Sequence, residues 1–233
     1  FSSCENKTNS VSNQQRSKIH SLTQEINKDP RNLELLLSRA NYYRERSNWD
    51  LVLFDVKQCL SIDSTNMEAN FLAGKAYFEI SKINHKKTNY PYLSLKYLEN
   101  AIKYNNKNTE TLLLYSRVLI AFSRYNEALS SINNALTINY NLEEGHLLLG
   151  YVFKSLGEEE EAINCFNNSI QVNPDFSEGY IQLARIFHDK NDTLAISYYN
   201  NALEINPEDL KILYAKAVFF QNIKDWNAAL KAY

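Results

Sequence analysis

Between Glu143 and Phe176 the sequence reads EEGHLLLGYVFKSLGEEEEAINCFNNSIQVNPDF, two runs of helical period parted by Gly157 and closed by Pro174. Large apolar residues (Leu149, Phe153, Ile163, Phe166, Ile170) stand among small ones (Gly150, Ala162, Ser169). Apolar positions recurring every three to four residues predict amphipathic helices, and a glycine between two such runs predicts a tight turn. The small residues mark where the two helices approach closely, and the aromatics fill the space between them. The expected unit is a helix hairpin of 34 residues.

The same pattern steps along the chain. The small position of the first helix is held by Ala40, Gly74, Ser116, Gly150, Ala184 and Ala217, and the bulky one a turn later by Tyr43, Tyr77, Leu119, Phe153, Phe187 and Phe220. In the second helix the early position is Val52, Ser94, Ala128, Ala162, Ala195 and Ala229; the later one is Cys59, Ala101, Ala135, Ser169 and Ala202. This small–large arrangement resembles the tetratricopeptide repeat, which has one small residue in its first helix, two in its second, and a closing proline. The proline survives at Pro174 and Pro207, while Ser64, Asn106 and Tyr140 replace it. The resemblance implies an all-α fold, a right-handed superhelical α-solenoid of antiparallel helix pairs. About six repeats are expected, at 33–66, 67–108, 109–142, 143–176, 177–209 and an incomplete 210–233, with a chain that continues beyond Tyr233.

Three stretches depart from the repeat. Residues 1–14 are polar and without apolar period, which predicts a flexible tether. Within it Phe1-Ser2-Ser3-Cys4 resembles the end of a bacterial lipoprotein signal of the Bacteroidota kind, which implies lipidation at Cys4; a free cysteine in a polar tail is the alternative. Residues 15–30 carry Ile19, Leu22 and Ile26 at helical spacing and predict a capping helix over the first repeat. The second repeat is about eight residues long for its class, and the excess is expected as a loop over Ser81–Asn89. With Lys82, His85, Lys86, Lys87 and Tyr90-Pro91-Tyr92 that loop is either a knob for an acidic partner or simply solvated.

Composition narrows the function. Five glycines and four prolines in 233 residues suit a mostly helical chain. A net charge of −2 gives no nucleic-acid footprint, which needs clustered Lys and Arg. No apolar run is long enough to span a membrane, so membrane contact is expected only through a lipid on Cys4. No phosphate loop, metal motif or nucleophile motif occurs, and the four histidines are scattered, so no catalysis, cofactor or metal is expected. His146 falls on a packing position and is expected in the core.

The resemblance implies a binding surface instead, because first helices line the concave face in this family. Carried over, that face has an apolar ladder of Leu37, Phe71, Leu113, Leu147, Ile181 and Tyr214. A broken basic row of Asn41, Lys75, Arg117, Tyr151 and Arg185 comes next, and then Arg44, Phe78, Ile120, Lys154 and His188. Such a face suits an amphipathic helix or extended peptide with acidic residues, unless a further C-terminal helix of the chain covers the ladder or the ladder packs between repeats. Replacing Phe71 and Leu113 by Glu is expected to cost binding and spare folding. The carboxylate clamp of tetratricopeptide co-chaperones is not expected, since Leu37 stands where its lysine would be. The implied protein is a non-catalytic adaptor in a bacterial envelope, an outer-membrane lipoprotein facing the periplasm. The alternatives are a soluble cytosolic scaffold and the regulatory part of a longer protein.

Overall fold

In the computed structural model the described residues are 18–84, 88–105 and 107–232. Residues 1–17, with Cys4, the whole tether and the start of the cap region, lie outside them, as do His85, Lys86 and Lys87 of the expected knob, Asn106 and Tyr233. The described residues form thirteen helices and no strand: α1 (18–28), α2 (Leu33–Arg44), α3 (Trp49–Ile62), α4 (Met67–Ile83), α5 (Tyr90–Tyr104), α6 (Thr109–Ala121), α7 (Tyr125–Ile138), α8 (Glu143–Leu156), α9 (Glu159–Val172), α10 (Ser177–Asp189), α11 (Leu194–Ile205), α12 (Leu210–Asn222) and α13 (Trp226–Ala232). They fall into two compact units that divide after Val118, within α6.

In the first unit α2 packs on α3, α3 on α4 and α4 on α5. In the second, the hairpins α8–α9, α10–α11 and α12–α13 are joined through α7–α8, α9–α10 and α11–α12. The small residues sit where the helices meet. Ala40, Ser116, Ala184, Val52, Ser94, Ala128, Ala162, Ala195, Cys59, Ala101, Ala135, Ser169 and Ala202 are all wholly buried. A Cβ built on Gly74 would lie 2.6 Å from Cγ of Leu98, and one on Gly150 would clash with the ring edge of Phe166. Those distances leave no room for alanine without a shift of Leu98 and Phe166. Ser94 adds a polar stitch, donating its hydroxyl to the Gly74 carbonyl at 2.8 Å.

The turns inside five of the hairpins share one device. Ser47, Ser123, Gly157, Asn191 and Lys224 all take positive φ, between 54° and 82°. In each case the next residue's N–H donates to the carbonyl five positions back, at Tyr43, Leu119, Phe153, Phe187 and Phe220. This left-handed cap satisfies carbonyls that the helix end would otherwise leave bare. Only one of the five positions is glycine.

Between hairpins the chain leans on Asx side chains. Asp63, Asn105, Asn139 and Asn173 each accept the backbone N–H two residues on, at 2.9–3.1 Å. Asn32, Asn66, Asn108 and Asp209 then accept a backbone N–H two or three residues later in the helix that follows. Such Asx turns and caps fix the bend by hydrogen bonds where a closing proline would fix it by ring geometry. Three of the four linkers so braced are those that lost the proline.

The excess of the second repeat is not all loop. Helix α4 continues to Ile83, because Ser81-Lys82-Ile83 contain no stop signal and Ile80 is buried. The expected loop is thereby shortened at its start, and Lys82 is paired with Glu79 at 2.9 Å. At the other end of the first unit α1 buries Ile26. Thr23 of α1 accepts from Arg39 at 3.3 Å, and Arg39 in turn donates twice to Asp55, at 2.9 and 2.7 Å. Asp55 is fully buried, and its hydrogen bonds raise the already high pKa of Arg39 against the cost of burial.

Candidate protein-interaction surface

The first helices place the expected binding residues on their faces, but not all of them in solvent. In the first unit Leu37, Asn41 and Arg44 of α2, Lys75 and Phe78 of α4 and Arg117 of α6 are half-buried, while Phe71 and Leu113 are 6% and 5% exposed. In the second unit Ile120, Tyr151, Ile181 and His188 are half-buried and Leu147 is 3% exposed. Lys154 and Arg185 are exposed, and Tyr214 is 61% exposed. Three members of the expected apolar ladder, Phe71, Leu113 and Leu147, are thus interior side chains. Leu147 shows why: it belongs to one core cluster with Ala162, Phe166, Leu183 and Ile186, filling the seam between successive hairpins. The expectation that Phe71 and Leu113 could be replaced without loss of folding is corrected accordingly.

The basic row is also less free than its sequence suggests. Asn41 donates to Glu68 at 2.6 Å, Lys75 to Glu110 at 2.6 Å and the Tyr151 hydroxyl to Glu178 at 2.8 Å. In every case the acceptor is the second residue of the next first helix, where a carboxylate also favours the helix N-terminus. Arg44 lies 3.7 Å from the same Glu110. Around these groups in the first unit is a hollow of about 280 Å³ lined by Asn41, Arg44, Glu68, Phe71, Asn108 and Glu110. Lys75 also sits over the Phe71 ring, 5.5 Å from its centroid. Lys75 and Arg44 on this face are therefore both paired with Glu110 within the chain.

The face over α10 and α12 is built differently. Arg185 and Lys211 are exposed, and neither side chain has a hydrogen bond or ion pair among the described residues. His188, expected on the binding face, is taken up internally. Its Nδ1 lies 2.9 Å from the Tyr199 hydroxyl and its Nε2 3.1 Å from the Asn222 amide, so one ring joins α10, α11 and α12. Its ring also meets Phe219 edge-on at 5.2 Å. His146 is in the core as expected, 3% exposed, with Nε2 2.9 Å from the Tyr140 carbonyl oxygen.

Among the described residues no group of three or more His, Cys, Asp or Glu is placed to hold a metal ion, and no helix is long and apolar enough to cross a membrane. Cys59 and Cys165 are buried, and burial pushes both thiols up to about 11, which keeps them protonated and unreactive near neutral pH.

Comparison with known proteins agrees with this architecture. The tetratricopeptide repeat family matches at residues 144–176 and 177–209. No curated protein matches the sequence significantly. A tetratricopeptide repeat protein from Parabacteroides merdae superposes with a TM-score of 0.75 at 17% identity, over 95% of this chain and 85% of that one. The pilF protein of Pseudomonas aeruginosa gives 0.70 at 17% identity, over 86% and 88%. YrrB, a tetratricopeptide-repeat protein with an unusual peptide-binding site, gives 0.61 at 19% identity, over 84% and 97%. At these identities the likeness is one of fold. Residues 144–209 match the tetratricopeptide repeat by sequence, and the described hairpins around them share the fold of these tetratricopeptide-repeat structures.

Proposed function

We propose that the chain is a non-catalytic scaffold that holds an extended or helical segment of a partner protein against the first helices of its second unit, over α10 and α12. The observation that carries this reading is the contrast in exposure along the carried-over ladder, where Leu147 is 3% exposed and Tyr214 is 61% exposed. Exposed aromatic and arginine side chains are the types that most often dominate binding energy, and α10 presents Arg185 while α12 presents Tyr214. The peptide-binding site of YrrB lends support by analogy of fold. Selection of a random peptide library on the full chain tests it. Peptides that bind the parent and lose most of their affinity to Tyr214→Ala are the expected result; peptides indifferent to it overturn the placement.

The scaffold is further proposed to be tethered in a bacterial envelope through a lipid on Cys4, facing the periplasm from the outer membrane. The polar, Ser/Asn-rich stretch after Phe1-Ser2-Ser3-Cys4 supports this, as the kind of linker that follows a lipidated cysteine. Metabolic labelling with a traceable fatty acid should mark the parent and not a Cys4→Ser copy. No label on either would make the chain a soluble scaffold whose partners lie in the cytosol.

A further inference from the structure

The hydrogen bonds along the first helices follow one rule, and the rule breaks at one place. A side chain in the second half of a first helix is met by the second residue of the next first helix: Asn41 by Glu68, Lys75 by Glu110, Tyr151 by Glu178. One hairpin further on, the donor is Arg185, and the second residue of α12 is Lys211. A cation stands where each earlier rung has a carboxylate. The nearby acids do not make up the loss. Glu178 is already engaged by Tyr151 and by Gln182 at 2.6 Å. Asp209 accepts the backbone N–H groups of Lys211 and Ile212 as the cap of α12. Asp189, one turn beyond Arg185, is exposed and makes no ion pair with it among the described residues.

The broken rung lies beside apolar surface. Ile181 is one turn before Arg185 on α10 and half-buried, and Tyr214 is one turn after Lys211 on α12 and exposed. Two positive charges flanked by an aliphatic and an aromatic side chain complement a carboxylate flanked by apolar residues. Guanidinium and ammonium donors gain most from such a partner when apolar neighbours thin the water around them.

We infer that Arg185 and Lys211 form a subsite for the side-chain carboxylate of an Asp or Glu in a partner segment, which supplies in trans the rung that the chain lacks. This rests on the scaffold reading above and adds to it the chemistry of the segment bound. The occupant is an acidic side chain with apolar neighbours, because Glu side chains fill the equivalent place in every intact rung.

The test uses the full chain and C-terminally amidated peptides from the library selection, so that no terminal carboxylate competes. Selected peptides are expected to carry Asp or Glu between apolar residues, and to weaken tenfold or more when that Glu is changed to Gln. Lys211→Glu completes the rung within the chain. It should leave helical content and the melting temperature unchanged or slightly raised while abolishing binding of the acidic peptides. Arg185→Gln should weaken the same peptides with the fold intact. Selected peptides that depend on Tyr214 but ignore Glu→Gln and Lys211→Glu would overturn the carboxylate subsite and leave the scaffold reading standing. Failure to select any peptide that depends on Tyr214 would overturn both.

Discussion

The first-helix face of α2, α4 and the start of α6 and that of α10 and α12 come from one repeat pattern and end up with opposite chemistry. On the first, Phe71 and Leu113 are sunk into packing, and Asn41, Lys75 and Arg44 are held by Glu68 and Glu110. On the second, Tyr214 stands in solvent and Arg185 faces a register position held by Lys211. The lesson is that a repeat class specifies where side chains are presented and leaves their availability to the neighbouring repeat. One residue, the second of each first helix, decides whether a cation is spent inside the chain or offered outside it.

The widest separation should appear on burying a charge. Phe71→Glu places an unpaired carboxylate in an apolar seam and is expected to cost roughly 3–5 kcal/mol, whereas Tyr214→Glu should stay within about 0.5 kcal/mol. Urea midpoints measured side by side decide it, and equal losses would erase the distinction between the two faces. Alkaline titration provides a control in which the regions should behave alike, since among the described residues each unit has one buried thiol. Unfolded thiols ionise near 8.5 while Cys59 and Cys165 hold their protons to about 11 in the fold. The stabilisation is therefore complete below about pH 8.5 and is lost as the pH climbs toward 11, by about 1 kcal/mol per thiol at pH 9.5. Denaturation at pH 7 and 9.5 should show the loss shrinking by similar steps in Cys59→Ala and Cys165→Ala.

A finer test removes one rung. Glu110→Gln frees Lys75 and Arg44 and is expected to cost up to about 1 kcal/mol at low salt, less at high salt, because Glu110 is half-exposed. Lys211→Glu should move stability the other way. Smallest of all, Ser123→Gly should stabilise by about 0.5 kcal/mol, the relief of left-handed strain less the entropy of an extra glycine; a thermal melt of the pair measures it.

Much of the fold was legible because sterics write it plainly. Gly74, Gly150 and the alanines and serines at equivalent places are small enough for the helix crossings, so their spacing revealed the hairpins. The binding face was harder to read. A helix in such an array has one apolar stripe toward its own partner and another toward the next hairpin, and periodicity does not tell Phe71, which is buried, from Tyr214, which is exposed. The left-handed turns escaped notice because Ser47, Ser123, Asn191 and Lys224 carry only a weak preference for that conformation beside Gly157. Nor did the asparagines look structural in so Asn-rich a chain. The side-chain oxygens of Asn105 and Asn139 brace linkers that lack the proline, which composition counts as mere polarity.

Because each rung joins residues of two successive repeats, the chain's surface chemistry is rewritten whenever repeats are exchanged. Loss of residues 177–209 as a block would keep every small and bulky register in step, yet it would bring Lys211 to the place that Glu178 holds beside Tyr151. The open subsite would vanish together with Arg185, and a neutral phenol would meet a lysine instead. Duplication of the same block would restore a carboxylate after the first Arg185 and move the vacancy to the second copy. In such a lineage, unequal crossing-over can relocate a binding site without a single point mutation.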